Sequence, residues 1–171
     1  MTINNEPIEQ VQLNWDTHVH DIYSKAAKRL FLLVQLRRAG LCKSDLCKYY
    51  TTCIRSVLEY ACQVFHGGLT NEQSYLLESI QKRALRIIDP DLNYNDAINV
   101  FGLQTLKDRR ANMCFCLFTL MQNSTHKLHN LLPEKKENRY QLRNSKPYSL
   151  PRCKTNRCKN SFVPWCLYNL Q

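Results

Sequence analysis

Apolar residues recur every three or four positions from Trp15 to about Ala39: Val19, Ile22, Tyr23, Ala26, Leu30, Leu33 and Val34. That spacing predicts an amphipathic helix. Asn14 or Asp16 can cap its start, Arg37 and Arg38 suit the negative end of its dipole, and Gly40 stops it. A second helix is expected from Ser44, with Asp45 in its first turn. Leu46, Tyr49, Tyr50, Cys53, Ile54, Val57, Leu58 and Ala61 give it a broad apolar face, and Gly67-Gly68 ends it. Thr70 with Gln73 forms a capping box for a third helix through Leu76, Leu77, Ile80, Ala84, Leu85, Ile87 and Ile88, which stops at Asp89-Pro90. Asn93 opens a short fourth helix closed by Gly102. Thr105 with Asp108 caps a fifth, carrying Leu106, Met113, Phe115, Cys116, Leu117, Leu120 and Met121. The segment HKLHNLLP gives one last turn before Pro133.

From Glu134 the periodicity dissolves. Pro147, Pro151 and Pro164 break it, and basic residues alternate with Tyr140, Tyr148, Phe162, Trp165 and Tyr168. No repeat and no strand series is visible. The expected architecture is all-α: a helical bundle of about five helices over residues 14–133. A flexible lead-in over 1–13 precedes it, and a basic, mostly irregular tail over 134–171 follows.

Composition sharpens the expected partner. Among 171 residues the hydrophobic share is 44% and glycine occurs at only 4 positions, which suits a folded, helix-rich chain. The formal net charge is +10. From Glu134 onward nine Lys and Arg face two Glu, a net of +7, which leaves +3 for the rest. A field of this sign favours nucleic acid or another anionic surface. No apolar run reaches the roughly 20 residues that span a bilayer, so no membrane partner is expected. The opening MTINNEPIEQ does not read as a secretion signal. The nine cysteines, odd in number and set on apolar helix faces, suit reduced, buried thiols, and nothing in the sequence distinguishes a nuclear from a cytoplasmic location.

A series of blocks carries a family resemblance: WDTHVHDIYSKAAKRLFLLVQLRRAG, YYTTCIRSVLEYACQVFHGGLT, IQKRALRIIDPDLNYNDAI, LQTLKDRR, HKLHNLLP and CKTNRCKNSFVPW. In this order, over roughly residues 13 to 166, they resemble the C-terminal end of the reverse transcriptase polyprotein of LINE-type (non-LTR) retrotransposons, of the jockey and chicken-repeat branch. The resemblance implies a thumb and post-thumb extension, the part that follows the polymerase palm. The palm's metal-binding aspartates sit in an aromatic-x-Asp-Asp motif, and this chain has no Asp-Asp pair. The resemblance therefore implies a fragment that grips template RNA and primer DNA and has no catalysis or cofactor of its own. Its partners would be nucleic acid, RNA or DNA without regard to sequence, and the missing palm. The alternative is a helical packing or protein-interaction module with no independent activity.

Cys153, Cys158 and Cys166 form a loose string, with His126 or His129 as a fourth ligand, but the spacing is not that of a structural zinc site, so no metal is expected. Cys62 and His66 share a helix face only if the helix runs that far, and an ordinary buried thiol is the favoured reading. The carboxylates Glu59, Glu72, Glu78, Asp89, Asp91, Asp96 and Asp108 read as caps and surface charges, with no converging set for metal-assisted phosphoryl transfer. Arg55 and Glu59 either pair within the helix or reach across it, with Glu59 meeting Arg109 or Arg110. The expected nucleic-acid contacts are Lys25, Lys28 and Arg29, then Lys82, Arg83 and Arg86, then Arg152, Lys154, Arg157 and Lys159 in the tail. Tail rings such as Tyr148 or Trp165 can stack on bases, while the plug Phe162-Val163-Pro164-Trp165 is expected to pack back on the bundle.

Overall fold

A computed structural model describes residues 15–135 and 148–169. The expected cap at Asn14, the lead-in and the tail positions Tyr140 and Pro147 lie outside the described residues. Within them the chain is all-α, with no strand and one isolated antiparallel bridge between Lys135 and Tyr148.

The helix α1 (Asp16–Arg38) buries Val19, Ile22, Ala26, Leu30 and Leu33. They meet Leu77, Ile80, Ala84, Leu85 and Ile88 of α5 (Asn71–Ile88). Three lateral contacts fix the direction of this pair. Gln73 donates to Asp16 near both starts, Arg83 reaches the Tyr23 hydroxyl further along, and Lys43 just past α1 pairs with Asp89 just past α5. The two helices therefore run side by side in the same sense. Each fully buried aliphatic side chain in the seam contributes about 1.5–3 kcal/mol.

Three of the expected caps are present, whereas α1 follows Trp15 without a side-chain cap and Asp16 lies inside its first turn. Thr70 and Gln73 form a reciprocal capping box on α5. Asn93 accepts from Asp96 N–H at the start of α6 (Tyr94–Val100), and Thr105 accepts from Asp108 N–H at the start of α7 (Leu106–Met121). Between α5 and α7 a buried polar hub does what side-chain spacing alone did not suggest. Gln81 accepts from the Tyr50 hydroxyl (2.6 Å) and donates to the Tyr94 hydroxyl and the Gln104 carbonyl (2.9 Å each). Glu78, expected at the surface, is buried like Glu59 and Asp89: it accepts from the Tyr94 hydroxyl and from the Leu106 N–H, so a buried carboxylate also satisfies the first turn of α7.

The expected second helix is not continuous. It is divided into α2 (Lys43–Tyr49), a π-helical segment (Tyr50–Ile54), α3 (Arg55–Glu59), and α4 (Cys62–Phe65) with a 3-10 turn over His66–Gly68. Two effects account for the break. The Thr51 and Thr52 hydroxyls both donate to the Lys48 carbonyl, and Arg29 of α1 takes the Cys53 carbonyl, so the ordinary ladder loses acceptors there. Ala61 then adopts a left-handed conformation (φ 52°), which turns the chain sharply between α3 and α4.

The tail is a second departure from expectation. It is helical over α8 (Asn156–Lys159) and α9 (Phe162–Asn169), and it builds a second core from Cys114, Phe118, Tyr148, Cys166 and Leu167. Pro164 does not break it. The proline lies in the first turn of α9, where a missing N–H costs no intrahelical bond. The plug docks as expected: the Trp165 ring stacks on Phe115 (centroids 5.3 Å) and meets His66 edge-on (4.7 Å). Gly67 makes this possible, since a Cβ there would overlap the Asn160 carbonyl oxygen and stand 2.8 Å from the Trp165 ring. Gly68 does the same for Trp15, whose indole nitrogen would be 2.6 Å from an added Cβ. The glycine pair is thus a docking surface for two tryptophans as well as a helix stop.

Candidate nucleic-acid interface

The seam between α1 and α5 carries the first two basic groups. Lys25, Lys28 and Arg29 are exposed on α1, and Lys82, Arg83 and Arg86 on α5. Their partners separate them. Arg29 donates to the Cys53 carbonyl and Arg83 lies 3.5 Å from the Tyr23 hydroxyl, so both are tied to the fold. Lys82 sits 5.3 Å over the Tyr94 ring, an arrangement that leaves its charge accessible. Lys25, Lys28 and Arg86 make no hydrogen bond or ion pair among the described residues. Lys82 and Arg86, one helical turn apart, line a groove of about 410 Å³ with Pro90 to Asn93. Asp91 lies on the same groove and weakens its positive field.

The tail group is separate. Arg152, Lys154, Arg157 and Lys159 are all exposed on or beside α8. Lys159 lies 5.4 Å over the Tyr168 ring. Among the described residues no hydrogen bond or ion pair joins this group to the basic residues of α5. The rings expected to stack on bases are unavailable for it: Tyr148 is buried and Trp165 is packed between Phe115 and His66.

The charged pairs are resolved residue by residue. Glu59, 8% exposed, accepts two hydrogen bonds from Arg109, at 2.5 and 3.0 Å. Arg55 stands 3.8 Å from the same carboxylate, so both alternatives occur, with the cross-helix one much closer. Arg110 is not in an ion pair, contrary to expectation. Its side chain is fully buried, Nη2 donates to the Ser74 hydroxyl (3.0 Å), and Nε and Nη1 have no partner. Adjacent helix positions lie about 100° apart, so Arg109 points to Glu59 while Arg110 points into the core. Burial pulls its pKa below the usual arginine range.

The cysteine and histidine candidates fall apart in the same way. Cys62 faces the Met113 sulfur (3.9 Å), and burial pushes its thiol up to about 11, which suppresses nucleophilicity. His66 is held at about 4 by burial and by the nearby charges of Arg110 and Lys107. Cys166 is buried over the Cys114 carbonyl, while Cys153 is half-buried and Cys158 exposed, and the three tail thiols do not converge on one site. Among the described residues no group of three or more His, Cys, Asp or Glu is placed to hold a metal ion, and no helix is long and apolar enough to cross a membrane. Sequence spacing missed the Gln81–Glu78 hub. Its signal was present as two polar residues set three apart in the buried stripe of α5. No family model, no curated protein and no solved structure matches this chain.

Proposed function

We propose that this chain grips nucleic acid through its backbone phosphates, as the thumb-like remnant of a LINE-type reverse transcriptase, with no catalysis of its own. The observation that carries the reading is the set of accessible, unpaired cations on the parallel α1–α5 pair, Lys25, Lys28 and Arg86 with Lys82 beside them. The order of the resembling blocks supports it. A chain of net charge +10 provides the long-range attraction, and lysines on long stems contact phosphate without reading base edges.

Binding to a short RNA or DNA duplex, measured across a salt series, tests the reading. Lys82→Gln with Arg86→Gln removes two contacts, and the slope of log affinity against log salt is expected to become shallower by about 1.8. An unchanged slope in the double variant, or no salt-dependent binding at low ionic strength, overturns it. A second reading, a packing module for the absent palm, rests on Phe31 and Leu32, which are 63% and 52% exposed side by side on α1. A monomeric chain with a single cooperative unfolding transition counts against that reading.

A further inference from the structure

We propose that Cys153 and Cys158 are a redox-active dithiol that closes to an intramolecular disulfide by exchange with a small disulfide such as oxidised glutathione. Their sulfurs share a hydrogen bond at 3.2 Å, so closure to the covalent length of about 2.05 Å needs a shift of about 1.2 Å. The pair is reachable, with Cys158 exposed and Cys153 half-buried. The hydrogen bond from Cys158 and burial raise the Cys153 thiol, with Lys159 opposing them, while the exposed Arg152, Lys154, Arg157 and Lys159, next to the pair in sequence, attract the carboxylates of glutathione.

The segment that holds the two thiols is already closed on itself. The Tyr168 hydroxyl donates to the Pro151 carbonyl (3.1 Å), Lys159 lies over the Tyr168 ring, and Cys158 N–H donates to the Thr155 hydroxyl (3.2 Å). The approach of the sulfurs is therefore built into the fold. The remaining thiols lack this combination. Cys62, Cys114 and Cys166 are buried, with burial pushing them up to about 11, 12 and 12. Cys116 is exposed with no thiol partner, Cys42 donates to Asp45 (3.2 Å), burial raises the half-buried Cys47, and Cys53 lies against the Thr52 hydroxyl (3.6 Å).

The exchange balances in two steps. One protein thiolate attacks a sulfur of the glutathione disulfide, forms a mixed disulfide and releases one glutathione thiolate. The second protein thiol, on losing its proton, attacks the protein sulfur of that mixed disulfide and releases the second. Two electrons pass to glutathione, and the two protein protons end on the two glutathione thiols. The resulting bond ties the entry of the docked tail to α8. This inference does not depend on nucleic-acid binding.

The full-length reduced chain is equilibrated in glutathione buffers of increasing oxidation, free thiols are alkylated, and intact mass with fragmentation assigns the protected positions. The expected result is protection of Cys153 and Cys158 together, with an equilibrium constant at least about 10-fold larger in the native chain than in urea. Cys153→Ser and Cys158→Ser each abolish it, and Cys116→Ser leaves it unchanged. Three results overturn the proposal: protection that survives Cys153→Ser, a native constant no larger than that in urea, or wild-type chain carrying only mixed glutathione adducts. Cys158 is exposed and Cys153 only half-buried, and far-UV circular dichroism checks that the helices remain.

Discussion

Arg109 and Arg110 are neighbours in sequence with opposite roles, and substituting each by methionine separates them. Arg109→Met removes two charge-assisted bonds from Glu59, whose side chain is 9% exposed. Leaving a buried charge without its partner costs about 3–5 kcal/mol in a closed interior. Here the Arg109 side chain is 30% exposed and Arg55 stays at 3.8 Å, so solvent and the second guanidinium reduce the loss to about 2–3 kcal/mol. Arg110→Met gives up the bond to Ser74, about 1 kcal/mol, together with some attraction to Glu78 and Glu59. In return it removes a fully buried cation with two unpartnered nitrogens and fills the same space with an apolar chain of similar length. Buried charges replaced in this way are neutral or stabilising by about 1–4 kcal/mol. The assay is urea unfolding of both variants, read from midpoints at constant slope. A larger loss in Arg110→Met than in Arg109→Met refutes the reasoning. So does a Glu59→Gln, Arg109→Met cycle with no coupling energy.

Gly67→Ala is expected to cost about 1–3 kcal/mol, because the new Cβ meets the Asn160 carbonyl and the Trp165 ring, of which only the ring can yield. With Trp15→Phe as background, Trp165 is the sole tryptophan, and its emission should shift to the red in the Gly67→Ala chain; an unshifted spectrum sinks the account. His66 makes stability depend on pH. Its imidazole binds a proton near 6.5 when unfolded and only near 4 when folded, so the unfolded chain holds more protons between those values. Stability therefore falls as pH drops from about 6.5 to about 4, by about 1–2 kcal/mol after allowing for the ring's partial contact with solvent, and this group adds nothing further below. His66→Phe keeps a ring against Trp165 and should flatten that part of the profile; an identical profile in the variant excludes His66 as its source.

The caps were legible in the sequence because they are local. Thr70 with Gln73, Asn93 with Asp96 and Thr105 with Asp108 each complete their bonds within one turn, and the structure contains all three. The break in the second helix was not legible. It needs Arg29 from another helix at the Cys53 carbonyl, and it turns at Ala61, a residue that ordinarily favours helix. The tail was misread for a related reason. Proline was taken as a stop at Pro164, where its position in the first helical turn makes it harmless, and the interleaved aromatics suggested stacking on bases. Tyr148 instead fills a core, and Trp165 packs against that core, as expected of the plug, where Gly67 leaves room for its ring. Glu59 shows the middle case. Its partner was narrowed to two adjacent arginines, and only the rotation of α7 against α3 and α4 decides between them.

The same rotation bears on how much of the positive charge is free to meet phosphate. Arg29 is tied to the Cys53 carbonyl, Lys43 pairs with Asp89 at 2.5 Å, Arg109 pairs with Glu59, and Arg110 is sealed in the core. Lys48 faces Asp45 at 3.1 Å. These cations count toward the formal +10 and steer an approaching polyanion from a distance, yet they are not placed to release a counterion by contact. The salt slope reports contacts rather than net charge. It should therefore track the accessible set on α1 and α5 and the exposed residues around α8, and it should be shallower than the formal charge implies. A ligand too short to reach both groups should show the slope of one group alone.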